Sequence, residues 1–181
     1  MKKAGNTHLY LLLMLIGLFT GYGQSYGQSK STKAVQQSAE LIDQASWFLS
    51  QAADQIQLCD GASSVEDIHY YCFESLPAID SVEFRLQQAL FKADDMGYLL
   101  PKDNSSGQAA QLEALTLQLQ QAQKSNSRIQ HLLRSLLDES QPTVINQKLF
   151  DVIQAVNQCS EQLQKLQRSH KTLIRQGNTR K

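Results

Sequence analysis

The fold is decided between Leu112 and Leu173, where the chain reads LEALTLQLQQAQKSNSRIQHLLRSLLDESQPTVINQKLFDVIQAVNQCSEQLQKLQRSHKTL. Two sets of residues in this stretch are spaced at alternating intervals of three and four. The first set is Leu112, Leu115, Leu119, Ala122, Asn126, Ile129, Leu133 and Leu136. The second set is Ile145, Leu149, Val152, Val156, Cys159, Leu163, Leu166, His170 and Leu173. This spacing places each set on one stripe of a helix, as in a coiled-coil seam.

A chain reversal at 140–142 pairs the two stripes in order. Leu136 then faces Ile145, and the pairing continues without a slip to Leu112 opposite His170. We therefore predict two long antiparallel helices, with Pro142 in the first turn of the second. Asn126 within the seam is expected to fix the register rather than bind a ligand, and His170 to be a half-exposed packing residue.

Two further stripes lie upstream with the same spacing. The first consists of Val35, Ser38, Ile42, Ala45, Leu49, Ala52, Ile56 and Cys59, and the second of Ile79, Val82, Leu86, Ala89, Ala93 and Met96. Four such helices predict an all-α fold, an elongated antiparallel four-helix bundle with up-down-up-down order and coiled-coil-like seams. The bundle is expected to occupy residues 33–177, followed by a basic tail at 178–181.

The helix ends follow from local signals. Gly61 is expected to stop the first helix in a left-handed conformation, and a connector of about 15 residues follows, which is long for a bundle loop. Pro77 suits the first turn of the second helix, and Gly97 its end. Ser105 with Gln108 forms a capping box that opens the third helix.

The N-terminus has the layout of a secretory signal peptide at 1–23, followed by a flexible leader at 24–32. Two lysines precede the apolar run Leu9–Phe19, whose 11 residues are fewer than the roughly 20 that span a bilayer. Small residues allow cleavage before Gln24 or before Gln28. An uncleaved anchor is the alternative. We expect an exported protein, periplasmic or secreted, with no stable membrane anchor after cleavage.

The composition limits the classes of function. Lys and Arg together number 17, as do Asp and Glu, so nothing indicates a nucleic-acid partner. No nucleophile, metalloprotease, phosphate-binding or haem-attachment motif is present, and the paired metal-ligand motifs of di-iron bundles are also missing. We therefore expect no enzyme activity and no cofactor.

Three cysteines follow the signal region. Cys159 lies in a seam and is expected to be a free, buried thiol. Cys59 ends the first helix and Cys72 lies in the connector, so these two form the only easy pair for a disulfide. The bridge would close a loop of 14 residues, worth about 3 kcal/mol in the chain-entropy model. Two free thiols, or a metal held by the Cys, His and acidic residues of the connector, are the alternatives.

Aromatic residues occupy a second face of the first two helices. Phe84 and Phe91 are seven residues apart and far from the seam, Tyr98 extends the series, and Trp47 is also outside its seam. The aromatic residues of the connector are Tyr70, Tyr71 and Phe73. Either the connector folds over these rings, or the rings form a docking patch for another protein. The covered arrangement is favoured, because an open aromatic patch reduces solubility.

Together these features favour a non-enzymatic helical interaction protein, such as an envelope-assembly subunit or a small inhibitor. Its partner is a protein that the sequence does not identify, and Trp47, Phe84, Phe91 and Tyr98 are the candidate contact residues. The alternative is a periplasmic carrier of a small ligand or metal that uses the connector.

Overall fold

The computed structural model describes residues 33–99 and 106–178. Within them, helix α1 spans 33–57 and leads into a 3-10 turn, Leu58–Gly61. Helices α2, α3 and α4 span Val65–Leu99, Ser106–Leu137 and Pro142–Asn178. The four helices pack against one another as an all-α four-helix bundle, which confirms the predicted fold class. The predictions for 1–32, for the cap at Ser105 and for the tail beyond Asn178 lie outside the described residues.

The predicted seams form the core. Leu119, Ile129 and Leu133 of α3 and Ile145 and Leu163 of α4 have no exposed surface. Burying one such side chain contributes about 1.5–3 kcal/mol, so the stripes supply most of the stabilising free energy. The predicted pairing also holds at mid-length, since the Cys159 sulfur lies 3.9 Å from the carbonyl oxygen of Ala122.

Each helix contacts two neighbours, so the helices form a closed ring in chain order. The side-chain contacts that join neighbours are Cys59 with Cys72, Glu83 with Gln123, Gln118 with Ser169, and His170 with Ser38. The last contact places α4 beside α1. The α1–α2 pair therefore forms one side of the bundle, and the α3–α4 pair the other.

The expected long connector is wrong, because α2 begins at Val65 and contains most of it. The buried stripe of α2 continues upstream from Ile79 through Ser75, Cys72 and Ile68 with the same spacing of three and four. Ser64 caps the helix, since its hydroxyl accepts a hydrogen bond of 3.0 Å from the backbone N–H of Asp67. The short loop that remains is Ala62–Ser64.

Pro77 therefore lies inside α2 and not in its first turn. Proline has no N–H, so the carbonyl of Phe73 loses its helical donor. Both residues are exposed, and water can bond that carbonyl. Gly61 does not stop α1 in a left-handed conformation, because no described glycine has a positive φ; the chain turns through Ala62 at φ −67° and ψ 134°. Gly97 does not end α2, which continues to Leu99.

Among the described helices, none combines the length and the apolarity needed to cross a bilayer.

Candidate functional site

The rings of Trp47, Phe84 and Phe91 are open to solvent. Their exposed fractions are 57%, 53% and 76%. We call these three residues the aromatic face. Tyr98 lies in α2, but its side chain is outside the described part of the chain. The favoured expectation that the connector covers the rings is wrong, because the connector is the first part of α2: Ile68 and Cys72 pack into the core, while Tyr70 and Phe73 are themselves 60% exposed.

The heptad spacing explains why these rings face outward. Phe84 lies five residues after the buried Ile79, which is about 140° around the helix axis, and Phe91 repeats that position one heptad later. Tyr70 holds the same position two heptads before Phe84 and is 60% exposed. Sequence reasoning did not predict that Tyr70 lies in line with Phe84 and Phe91, because it assigned Tyr70 to a loop. The signal was present, since Ile68 and Cys72 continue the α2 stripe.

The register between α1 and α2 brings Trp47 level with Phe84. The sulfur atoms of Cys59 and Cys72 lie 3.8 Å apart, which fixes the relative height of these antiparallel helices. Trp47 lies twelve residues before Cys59, and Phe84 lies twelve residues after Cys72. Phe91 lies one further heptad along α2, about 10 Å away. The three rings thus share one stretch of the α1–α2 side.

A groove between α1 and α2 is lined by the rings of Phe84 and Phe91 and has a volume of about 570 Å³. Its lining residues are Gln37, Glu40, Leu41 and Gln44 from α1, and Phe84, Gln87, Gln88, Phe91 and Lys92 from α2. Amide side chains can donate and accept hydrogen bonds, while Leu41 and the two rings supply apolar contact area. The groove therefore suits an occupant with both apolar and polar groups, such as a helix.

The two sides of the bundle differ in charge. Residues 33–99 contain eleven acidic residues (Asp and Glu) and three basic residues (Lys and Arg). Residues 106–178 contain five acidic and eight basic residues. We call the α1–α2 side the acidic side. Our sequence prediction considered only the balanced total charge, and counting each helix pair separately would have found this asymmetry.

The two cations next to the aromatic face have partners on their own helix. The Arg85 guanidinium donates to Gln88 at 2.9 Å and lies 5.4 Å from the centre of the Phe84 ring. The Lys92 ammonium is 3.4 Å from the Asp95 carboxylate. The Lys92–Asp95 pair offsets one charge of each sign, whereas Gln88 and the Phe84 ring are neutral and leave the charge of Arg85 in place. With eleven acidic and three basic residues over 33–99, this side is still negative overall.

Cys59 and Cys72 form a buried pair of thiols. Their sulfur separation of 3.8 Å exceeds the roughly 2.05 Å of a disulfide, so the predicted bridge is not confirmed. The hydrogen bond between the two thiols lowers the pKa of Cys59 and raises the pKa of Cys72, which burial raises further. Cys159 is also buried, and burial followed by the charge of Glu83 raises its pKa to about 12.

Two polar pairs interrupt the core. The Asn126 amide donates to the Ile79 carbonyl and to the Glu83 carboxylate, each at 3.2 Å. Its own oxygen is buried and has no hydrogen-bond partner within the described residues. His170 is 1% exposed and contacts Ser38, so the expectation of a half-exposed histidine is wrong. Sequence reasoning missed the partner because it paired His170 only with α3.

No group of three or more His, Cys, Asp and Glu side chains among residues 33–99 and 106–178 could hold a metal ion. The residues proposed for a ligand-binding connector are distributed around the first turns of α2.

Comparison of the chain with protein-family models, curated proteins and solved structures gives no match. The class of the molecule is therefore defined by its own features: an all-α four-helix bundle whose described residues include an exposed aromatic face on the acidic side.

Proposed function

We propose that the protein is a non-enzymatic interaction protein that binds another protein through the aromatic face. The observation that supports this proposal is the exposure of Trp47, Phe84 and Phe91 on one side of the bundle, while the residues of its seams are buried. Aromatic side chains gain about 1.5–3 kcal/mol each when they leave water. Clusters of them at a protein surface are typical of binding sites.

The proposal includes export to the periplasm or the outside of the cell. Its support is the sequence layout at 1–23, where lysines, a short apolar run and small residues follow one another. Mass spectrometry of the exported protein should find Gln24 or Gln28 as the first residue. An intact Met1 in exported material would refute this part.

The binding role is tested with substitutions that remove the rings. The variant Trp47→Ser/Phe84→Ser/Phe91→Ser should lose capture of the partner from envelope extracts while it keeps its helicity. The matched control is Leu117→Ser/Phe150→Ser, which removes two apolar residues, each 55% exposed, from α3 and α4. Equal capture by the wild-type chain and both variants would refute the proposal.

A disulfide between Cys59 and Cys72 is also part of the proposal. The thiols are neighbours, and Cys59 is the less buried of the two, with 5% of its surface exposed against 0% for Cys72, so we assign it the first attack. The Cys59 thiolate would attack a disulfide of an oxidised dithiol carrier and release one carrier thiolate. The Cys72 thiolate would then attack the Cys59 sulfur and release the second. Two electrons and the two thiol protons pass to the carrier.

The alternative role, as a carrier of a small ligand or metal, has less support. It requires a loop with convergent ligands, whereas Cys72 packs into the core and the neighbouring carboxylates lie around a helix. Metal analysis of the purified protein would test it. Stoichiometric zinc that is lost on replacing Cys59 and Cys72 would favour the carrier.

A further inference from the structure

We infer that the partner contacts the aromatic face with a cationic amphipathic helix. This inference rests on the proposed function and adds the chemistry of the partner. Two features of the α1–α2 side carry it: the heptad spacing of the exposed rings and the excess of carboxylates around them.

The spacing of the rings matches the repeat of a packed helix. Phe84 and Phe91 lie seven residues apart on the outer side of α2, and Tyr70 occupies the same position two heptads earlier. A third helix that packs along the α1–α2 groove at a shallow angle presents apolar residues at that repeat. Leu41 and the glutamines of the groove then contact its apolar and polar side chains.

The charge of the acidic side selects a basic partner. Glu40 and Asp54 are exposed one heptad before and after Trp47, and Asp94 is exposed just beyond Phe91, next to the Asp95 carboxylate that pairs with Lys92. Lys and Arg on a docked helix would lie near these carboxylates while its apolar residues cover the rings. Such complementarity speeds association and discriminates among partners.

The same charge disfavours two other occupants. A second copy bound through the same face would bring two acidic sides together, and like charges repel. A bilayer rich in anionic lipid would repel this side in the same way. A basic helix is the occupant that satisfies both the rings and the carboxylates.

The test uses synthetic peptides and the full chain. The peptide has about 18 residues, roughly 27 Å as a helix, with leucine at heptad core positions, lysine elsewhere and no tryptophan. Two twins carry glutamine or glutamate in place of lysine. Trp47, the single tryptophan of the chain, reports binding through its emission. We expect the lysine peptide to bind at least about tenfold more tightly than either twin. Salt at about 1 M, where the Debye length is about 3 Å, should remove that preference.

Matched substitutions locate the binding site. Phe91→Ser should weaken binding of the lysine peptide by about tenfold or more, whereas Phe150→Ser should leave it unchanged. Equal affinity for all three peptides, no binding of any peptide, or equal effects of the two substitutions would overturn the inference. Binding of anionic vesicles, or a dimer that Phe91→Ser abolishes in sedimentation, would also overturn it.

The two levels of the proposal fail in different ways. If a twin binds as tightly as the lysine peptide and Phe91→Ser weakens it, the chemistry of the partner is wrong but the interaction face stands. If no peptide shifts the emission of Trp47 and the three-ring variant also captures its partner normally, the proposed function fails as well.

Discussion

His170 and Ser38 join the last helix to the first inside the core. The Nε2 atom of His170 lies 3.0 Å from the Ser38 hydroxyl oxygen, and Nδ1 lies 3.1 Å from the Leu166 carbonyl oxygen. Because a carbonyl oxygen only accepts, Nδ1–H donates to Leu166, and in the neutral imidazole Nε2 then accepts the hydroxyl proton of Ser38. A protonated ring would instead donate from Nε2 to the Ser38 oxygen, so it is burial, and not this hydrogen bond, that disfavours the charged form.

Acidification should destabilise the fold through His170. Burial lowers the pKa of this histidine below its usual value of about 6.5, despite opposing contributions from the Leu166 carbonyl and from Asp43. The unfolded chain then binds a proton that the folded chain does not. The free energy of unfolding is therefore highest above pH about 6.5 and falls as the pH drops through and below that value. Urea midpoints measured across this range test the effect.

Two variants separate His170 from other titrating groups. His170→Leu should flatten the pH dependence above pH about 5, whereas His131→Leu, at an exposed position of α3, should preserve it. The lowered pKa values of Asp67 and Glu139 affect stability at lower pH, because their contribution is lost only as the pH falls below the ordinary carboxyl values of about 3.9 for Asp and about 4.3 for Glu. A dependence that survives His170→Leu would contradict this assignment.

The buried amide of Asn126 should be intolerant of a carboxylate. Asn126→Asp replaces a donor to the Glu83 carboxylate and the Ile79 carbonyl with an acceptor at almost the same volume. We expect a loss of about 3 kcal/mol or more in the free energy of unfolding at neutral pH. Asn157→Asp, on the exposed side of α4, is the matched control and should cost less than about 0.5 kcal/mol. If urea denaturation gave similar losses for the two variants, the hydrogen bonds of Asn126 would contribute little to the free energy of unfolding.

The seam residues should dominate stability. Leu133→Ala and Leu163→Ala each remove a fully buried side chain and should cost about 2–5 kcal/mol. Gln120→Ala and Gln164→Ala change exposed positions on the same helices and should cost far less. Thermal or urea unfolding of the four variants distinguishes them. Equal losses at all four positions would contradict the observed core.

The bundle was predictable because its seams repeat without interruption. The stripe from Leu112 to Leu136 and its counterpart from Ile145 to Leu173 determine which face of each helix is buried, and the burial follows them. The start of α2 was not predicted because Pro77 was given more weight than the stripe. Ile68, Cys72 and Ser75 continue the spacing of three and four upstream, and packing of that stripe outweighs the single donor lost at an exposed proline.

The candidate site was only partly predictable. The outward positions of Trp47, Phe84 and Phe91 follow from their angles to the seam. Whether the segment after α1 covers them depends on the length of the loop, and the three-residue loop Ala62–Ser64 is too short to reach them. His170 contacts Ser38 because α4 lies beside α1 in the bundle. The pattern of the α3–α4 pair alone does not predict that neighbour.

The cysteine chemistry should leave one free thiol in the exported protein. If Cys59 and Cys72 are joined, denaturation without reductant exposes Cys159 alone. In the folded state Cys159 should resist alkylation, because its burial and raised pKa of about 12 suppress the thiolate. Thiol titration before and after denaturation provides the count. Three reactive thiols, or a peptide linking Cys59 to Cys159, would contradict the proposed pair.

The most direct test of an open interaction face is the emission of Trp47 in the isolated, folded chain. Trp47 has 57% of its surface exposed. Within the described residues its ring contacts one other ring, that of Phe48, edge-on and 4.9 Å away between ring centres. The indole should therefore give a red-shifted spectrum. A neutral quencher should reach it almost as easily as it reaches a free indole. A blue-shifted spectrum that resists quenching would show that the face is covered, and would contradict the proposal that it is open for a partner.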